Sequence, residues 1–507
     1  MFCKDLLICV VESTTWFDTT KNLFSSENIV LVKDVEAEFN GLKADLCNVI
    51  AGERYVISER MARKAGFEGE YKLGTNLHSK EPLALVTRED DIIWSRFVSW
   101  VFEALLQAEE SGITKNTAHK LAATNAFGEQ FKNMFKNAVA ANGNYGEIYL
   151  QYFEKVAERN GLNMINKGNT SLIYSMPFGK TNTQGPGPIL DGTVQRILKR
   201  GFLNCGVIKS IGFAVTDTDT LRWKGFDIDI CRGISAALFN GSPDANIFPV
   251  STSNRFKALT SGDVDILSAV TTHTLQREVK EPATGLPFDF SPAYFYDGLG
   301  FGGSFPHVIC ADEFNFESTN LHQHCADTRI CVPDGTTWID VLRGPRNVPE
   351  ANLVVTLSFD DSYNKLGTGA CNVVAGETGD LTFLTREYEY AGKEFFVSWK
   401  KHTKEPLAVV TLSDDTQFSD FVRWIVSGYF FAAEKGIKRS NYYDMPTSNL
   451  FGNRLAGMWQ NAIQAVGSYD EIMTRNFGNQ SSYEGPNSVN SKNGPQHFAI
   501  PGINILN

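Results

Sequence analysis

A chain of 507 residues with 42% hydrophobic and 21% charged side chains has globular composition and is long enough for about three domains. Its net charge of -11, with no basic patch to offset it, argues against a nucleic acid or an anionic membrane as partner. No apolar run approaches the ~18 to 20 residues of a membrane helix, and the opening "MFCKDLLICVVES" is too short in its apolar part, and too interrupted by Lys4 and Asp5, to be a secretory signal.

In chain order, "ICVVESTTWFD" (8–18) reads as a buried strand running into a helix, "CNVIAGE" (47–53) as a second buried strand, and "FVSWVFEALLQAEE" as an amphipathic helix. These phrases return: "ICVPDGTTWID" at 330–340, "CNVVAGE" at 371–377, "KEPLAVVT" at 404–411 against "KEPLALVT" at 80–87, Trp424 against Trp100, and "GSYDEI" at 467–472 against "GNYGEI" at 143–148. A register held so far is an internal repeat. Residues 1–166 form a partial copy, 167–189, rich in Gly, Asn, Thr and Pro, a linker, and 190–507 a complete copy. Nothing in the first copy corresponds to 190–324, so its front is missing and the N-terminus reads as truncated.

Within the complete copy, "FLNCGVI", "NIFPVS" and "VDILSAV" are strand-like, while "DIDICRGISAALF" and "SNRFKALTSG" have helical spacing. This alternation predicts a mostly parallel sheet covered by helices. A second set follows in "RICVP", the helix after "GTTW", "LVVTLS", "SYNKLGTG" and "CNVVAG", and then the helix "FSDFVRWIVSGYFFAAEKG". The fold class is therefore α/β with two lobes, the first built from 190–305 and 412–507 and the second from 306–411.

The chain has nine cysteines. Cys331 with Cys371, Cys9 with Cys47, and Cys205 with Cys231 fall where disulfides can form; Cys310 and Cys325 are near in sequence, and Cys3 is left over. Buried thiols in a reducing compartment remain the alternative. No CxxC pair or His-rich cluster has metal-ligand spacing, so no metal or cofactor is expected. Sequons at Asn169, Asn240 and Asn479 fit a secreted chain.

Three motifs point to chemistry. In "SAVTTHTLQREVKEP" a buried strand ends in threonines, with Arg277 following in the loop, a combination suited to a carboxylate. In "PDGTTW" a turn enters a helix through Gly335, Thr336 and Thr337, whose NH and hydroxyl groups suit an anion. Glu377 closes the strand "CNVVAGE", placed to receive an ammonium. Singly, each has an ordinary reading as a surface arginine, a helix N-cap or a solvated carboxylate. Together they form a complementary set for a free α-amino acid at the carboxyl ends of the strands, where open α/β sheets bind ligands.

Through "KRGFLNCGV", "GFDIDICRGISAAL", "RFKALTSGDVDILS", "TTHTLQR", "YFYDGLGF", "CVPDGTTW", "KEPLAVV" and "FGNRLAGMWQNAIQAVGSYDEI", residues 198–507 resemble the extracytoplasmic solute-binding proteins of amino-acid ABC transporters, in particular the general L-amino-acid-binding group. Residues 1 to about 180 resemble the rear portion of the same family. The resemblance implies a type II periplasmic-binding-protein fold whose two lobes, joined by hinge strands, close over the ligand. It implies that Arg277 and Thr272 hold the ligand carboxylate with help from Thr336 and Thr337, that Glu377 takes the amino group where the family usually has Asp, and that Phe213 is the lid aromatic. His273 stands where relatives tend to have an aromatic.

The function expected is capture of a free amino acid for uptake by an ABC permease, outside the cytoplasm and without catalysis. A multi-repeat sensory or structural protein that keeps the fold without transport is the alternative; a lyase or dehydratase is disfavoured because no acid/base pair is evident. The first copy keeps Thr14, Thr15 and Glu53 but has no counterpart of Arg277, so it is not expected to bind alone. Its helical tail (92–153) would expose an apolar face unless another copy or another chain covered it.

Overall fold

The computed structural model describes residues 5–79, 82–154, 159, 163–164, 192–317, 323–382, 384, 394–478 and 487; the linker 167–189, Cys3, Asn169 and Asn479 fall outside them. The chain divides into two compact units, one containing the described residues up to Val86 and those from Gly146, the other containing 87–145 and nearly everything after the linker.

The first unit is a parallel three-stranded sheet in the order Ile29–Val32, Ile8–Val11, Val49–Ala51. Its central strand is wholly buried, as the uninterrupted apolar run requires of a parallel strand covered on both faces. Thr14 caps the helix Thr15–Leu23 by accepting from Phe17 N, and Asp34 caps Val35–Lys43 by accepting from Ala37 N. Cys9, Phe39, Leu42, Cys47, Ile50 and Ala62 form the core, stapled by the Cys9–Cys47 disulfide.

The second unit has two five-stranded sheets. One runs Ala245–Pro249, Leu203–Val207, Ile266–Leu267, Val410–Leu412, Phe288–Phe290. The other runs Leu353–Thr356, Ile330–Pro333, Val373–Glu377, Leu299–Gly303, Phe396–Val397. Three strands of the second sheet follow the order seen in the first unit, and Cys331–Cys371 sits as Cys9–Cys47 does. Further disulfides join Cys205 to Cys231 and Cys310 to Cys325, so the oxidised reading of the cysteines holds. Two crossing strands, Phe295–Asp297 and Glu405–Leu407, pair antiparallel between the sheets. Leu299–Gly303, assigned from sequence to the first lobe, is hydrogen-bonded in the second sheet.

The helices Ile92–Glu110 and Thr416–Glu434, aligned in the repeat, are both 19 residues long and both N-capped by aspartate, Asp91 and Asp415. The earlier one does not expose its apolar stripe. Trp100, Ala104, Ala108, Met134, Phe135 and Val139 pack with Leu275 and Val279, so residues from far along the chain cover it. Arg96, 4% exposed, bonds Asp289 at 2.7 Å across the same contact, and Glu110 receives Lys404 at 2.6 Å.

Candidate functional site

The site grows from the crossing strands. Because Asp297 pairs with Glu405 and Thr272 bridges to Leu407, the end of the 266–272 segment lies alongside the strand that leads to the second sheet. Glu405 is fully buried, and its carboxylate collects three hydroxyls: Thr272 Oγ1 at 2.5 Å and Thr337 Oγ1 at 2.8 Å on Oε2, and Thr403 Oγ1 at 2.6 Å on Oε1. Burial raises its pKa while the threonine hydroxyls and Arg277 oppose the rise. One carboxylate thus ties a residue following the first sheet to the helix that opens after the strand Ile330–Pro333 of the second.

Arg277 does not lie in a loop, as the sequence suggested. It sits in the short helix Leu275–Lys280, which Thr274 starts by accepting from Arg277 N at 3.3 Å, the local competition of a threonine hydroxyl for a backbone NH that makes it a cap. Its guanidinium donates to Thr272 O at 2.9 Å and Gly335 O at 3.3 Å. Arg255, from the helix Arg255–Thr260, donates to the same Gly335 O at 3.1 Å, and both cations face the Phe256 ring. Burial lowers the pKa of both arginines. Gly335 adopts φ 72°, and a Cβ there would stand 2.6 Å from Thr252 O and from Ser253 Cα, so no larger residue admits this approach. Thr252 Oγ1 donates to Asp334 O at 2.5 Å beside it. Thr336 caps the helix Thr337–Arg343, its hydroxyl spent on Pro333 O at 2.8 Å and on Ile339 N at 3.4 Å.

Glu377 ends the strand Val373–Glu377, 2% exposed, with Oε2 lacking any hydrogen-bond partner. Asp380, also 2% exposed, accepts from Ser210 Oγ at 2.6 Å on Oδ2 and leaves Oδ1 unpaired. Ser210 follows the strand Leu203–Val207, so this bond again joins segments of the two sheets. Burial, and then neighbouring Asp380, Asp297 and Glu405, push Glu377 well above the usual carboxylate range against the pull of Arg255. Asp380 is raised too, by burial and then by Asp297 and Asp227, against Ser210. Arg255 Nε is likewise buried without a partner.

Arg277, Thr272 and Thr337 therefore converge around Glu405, with Thr336 one residue away as a cap, while Glu377 stands among the acids Asp380, Asp297 and Glu405. Phe213 is in the aromatic core: 0% exposed, its ring centroid lies 5.1 Å from Phe295 and 5.2 Å from Phe477. His273 stacks on Phe290 at 4.2 Å and meets Glu278 Oε2 at 2.6 Å, turned toward Trp100 of the Ile92–Glu110 helix. Sequence reasoning missed Glu405, Asp380, Arg255 and Ser210. The signal for Glu405 was an acid and a proline heading an apolar run; for Asp380, a second acid three residues past Glu377. A cavity of about 300 Å³ is lined by Ile208, Lys209, Val250, Thr252, Ser358 and Asp360, and the Thr252 in its wall is the residue that donates to Asp334 O beside Gly335. Among the described residues no group of three or more His, Cys, Asp or Glu side chains is arranged to hold a metal, and no helix is long and apolar enough to cross a membrane.

Residues 203–301 match the family described as bacterial extracellular solute-binding proteins, family 3. The putative amino-acid ABC transporter-binding protein YhdW of Escherichia coli K12 is 29% identical over 330 residues, covering 61% of this chain and 92% of that protein. The general L-amino acid-binding periplasmic protein AapJ of Rhizobium johnstonii is also 29% identical over 330 residues, covering 60% and 91%. Among solved structures, an ABC transporter periplasmic binding protein from Brucella ovis with glutathione bound is 25% identical, with a TM-score of 0.48, over 62% of this chain and 99% of that one.

Proposed function

From a chain that carries a family-3 extracellular solute-binding domain, we propose that it captures a free amino acid between its two sheets and delivers it to an ABC-type permease outside the cytoplasm, with no chemical step of its own. The carrying observation is that two buried cations, Arg277 and Arg255, share Gly335 O and lie near enough to Glu377, whose buried Oε2 is unpaired, to interact with its charge. The guanidinium fork suits the ligand carboxylate, the hydroxyls of Thr272 and Thr337 lie within the same cluster, and Glu377 suits the α-ammonium. The amino-acid-binding relatives matched over almost their whole length support the reading, as do the disulfides, which persist in oxidising compartments. The relatives lend no support to a structural array.

Residues 1–166 are proposed as a partial second copy. The shared strand order and disulfide support this, and the lack of an Arg277 counterpart in 1–166 supports a non-binding role.

The test is a thermal-shift screen of the full chain against the twenty amino acids. A ligand that binds only the folded state at a hundredfold excess over its Kd stabilises by about 2.7 kcal/mol. A melting temperature unmoved by all twenty at millimolar concentration would overturn the proposal.

A further inference from the structure

The charges enclosed at the site do not balance around a neutral amino acid. Asp297 is answered by Lys401 Nζ at 3.1 Å and by the NH groups of Gly298 and Gly379 at 2.8 and 3.1 Å. Glu281, which also faces the arginines, is answered within its own turn by Ala283 N, Thr284 N and Thr284 Oγ1 at 3.1, 2.8 and 2.9 Å. Glu405 has its three hydroxyls and stands opposite Arg277. Arg255 and Arg277 donate to the carbonyls of Ala269, Thr272 and Gly335.

Two carboxylates are left, Glu377 and Asp380, each 2% exposed and each with one oxygen that nothing bonds. Among the described residues no Lys, Arg or His forms an ion pair with either. A neutral amino acid brings one carboxylate and one ammonium. The carboxylate draws on the guanidinium groups, the ammonium answers one of the two acids, and the other remains buried and unmatched, which costs several kcal/mol or obliges it to hold a proton. A ligand with a second cationic group answers both. A metal ion would answer them too, but among the described residues no third His, Cys, Asp or Glu side chain is arranged with them.

We propose that the preferred ligand is an amino acid with a basic side chain, of the lysine, ornithine or arginine class, its second cation lodged between Glu377 and Asp380 beside Ser210. This inference rests on the amino-acid-binding reading above and adds the ligand's charge to it. Asp380 thereby becomes a specificity-determining residue. Glu377 serves whichever amino acid binds, whereas Asp380 serves only the cationic ones.

Isothermal titration of the full chain at pH 7 with lysine, arginine, alanine, glutamine and glutamate tests this. Lysine or arginine should bind at least about tenfold more tightly than the other three, a difference of about 1.4 kcal/mol, and Asp380→Asn should bring the basic and neutral ligands within about threefold of one another. Tighter binding of alanine, glutamine or glutamate to the wild-type chain would overturn the ligand class while leaving amino-acid capture standing, and this ranking needs no variant to fold. An Asp380→Asn protein that kept the full preference would overturn the role of Asp380. No binding of any of the five would overturn the inference, and a failure of all twenty in the thermal-shift screen would remove the reading beneath it.

Discussion

Trp100 donates its indole Nε1–H to Glu278 Oε2 at 3.0 Å, on the same short helix that carries Arg277. The partner oxygen also lies 2.6 Å from His273 Nε2. Leu275 and Val279 pack into the apolar stripe of Trp100's helix, and at that helix's end Glu110 holds Lys404, the neighbour of Glu405. The helix Ile92–Glu110 is thus the back wall of two elements that present candidate site residues.

Removing that wall should therefore be felt at the site. Trp100→Ala leaves a large cavity against the helix Leu275–Lys280 and removes one of the two hydrogen-bond partners of Glu278 Oε2, and a buried Trp→Ala change costs about 3 to 5 kcal/mol. Hydrogen exchange should speed across residues 275–280, and ligand affinity should fall although Trp100 touches no site residue. Unchanged protection of that helix in the variant would show that the contact does not support it.

Arg277→Lys asks whether geometry or charge matters. The guanidinium reaches Thr272 O and Gly335 O, two carbonyls in different directions, with its planar fork. An ammonium keeps the charge but not the fork, so the two changes differ. Losing one charge-assisted bond costs about 1.5 to 3 kcal/mol, or roughly ten- to a hundredfold in Kd. Titration calorimetry giving a Kd within about twofold of wild type would show that charge alone suffices.

Much of this was legible in the sequence because it is periodic or repeated. Continuous apolar runs such as "ICVP" and "CNVVAG" read as buried parallel strands and are so placed, and Thr336 takes the ordinary reading of "PDGTTW" as a helix N-cap. Arg277 was legible as a residue type but not as helical, since six residues behind a threonine cap give too little periodicity to see. Phe213 was misleading because an aromatic beside a glycine looks the same whether it faces a ligand or, as here, Phe226, Phe295 and Phe477. Glu405 and Ser210 were invisible because their partners, Thr337 and Asp380, come from distant parts of the chain.

Glu405→Gln should destabilise the fold rather than merely the site. The carboxylate accepts three hydroxyls and is an anion facing buried Arg277. The amide keeps one acceptor oxygen, turns donors toward a hydroxyl and withdraws the countercharge. Leaving buried groups imperfectly matched costs about 1 to 3 kcal/mol, which for a unit of this size corresponds to a fall of roughly 1 to 6 °C in melting temperature. Calorimetry of the ligand-free chain checks this; a variant melting with wild type would mean that water or rotated hydroxyls restore the bonds.

Glu38 gives the first unit a pH dependence with a definite sign. It lies in the helix Val35–Lys43, 1% exposed, with Oε1 unpaired, and burial pushes its pKa up to about 8 against a hydrogen bond from the Val11 backbone. Unfolded, a glutamate titrates near about 4.3. The folded state then holds the proton more tightly, so its contribution to stability is fully present below about pH 4.3 and is lost as pH rises through about 8, with a slope of at most about 1.4 kcal/mol per pH unit in between. Amide exchange at Phe39 and Leu42, corrected for the intrinsic pH dependence of exchange, should lose protection from pH 5 to 8 in the wild-type chain. Glu38→Gln, neutral throughout, should flatten that dependence; a variant with the wild-type slope would assign the effect to some other group.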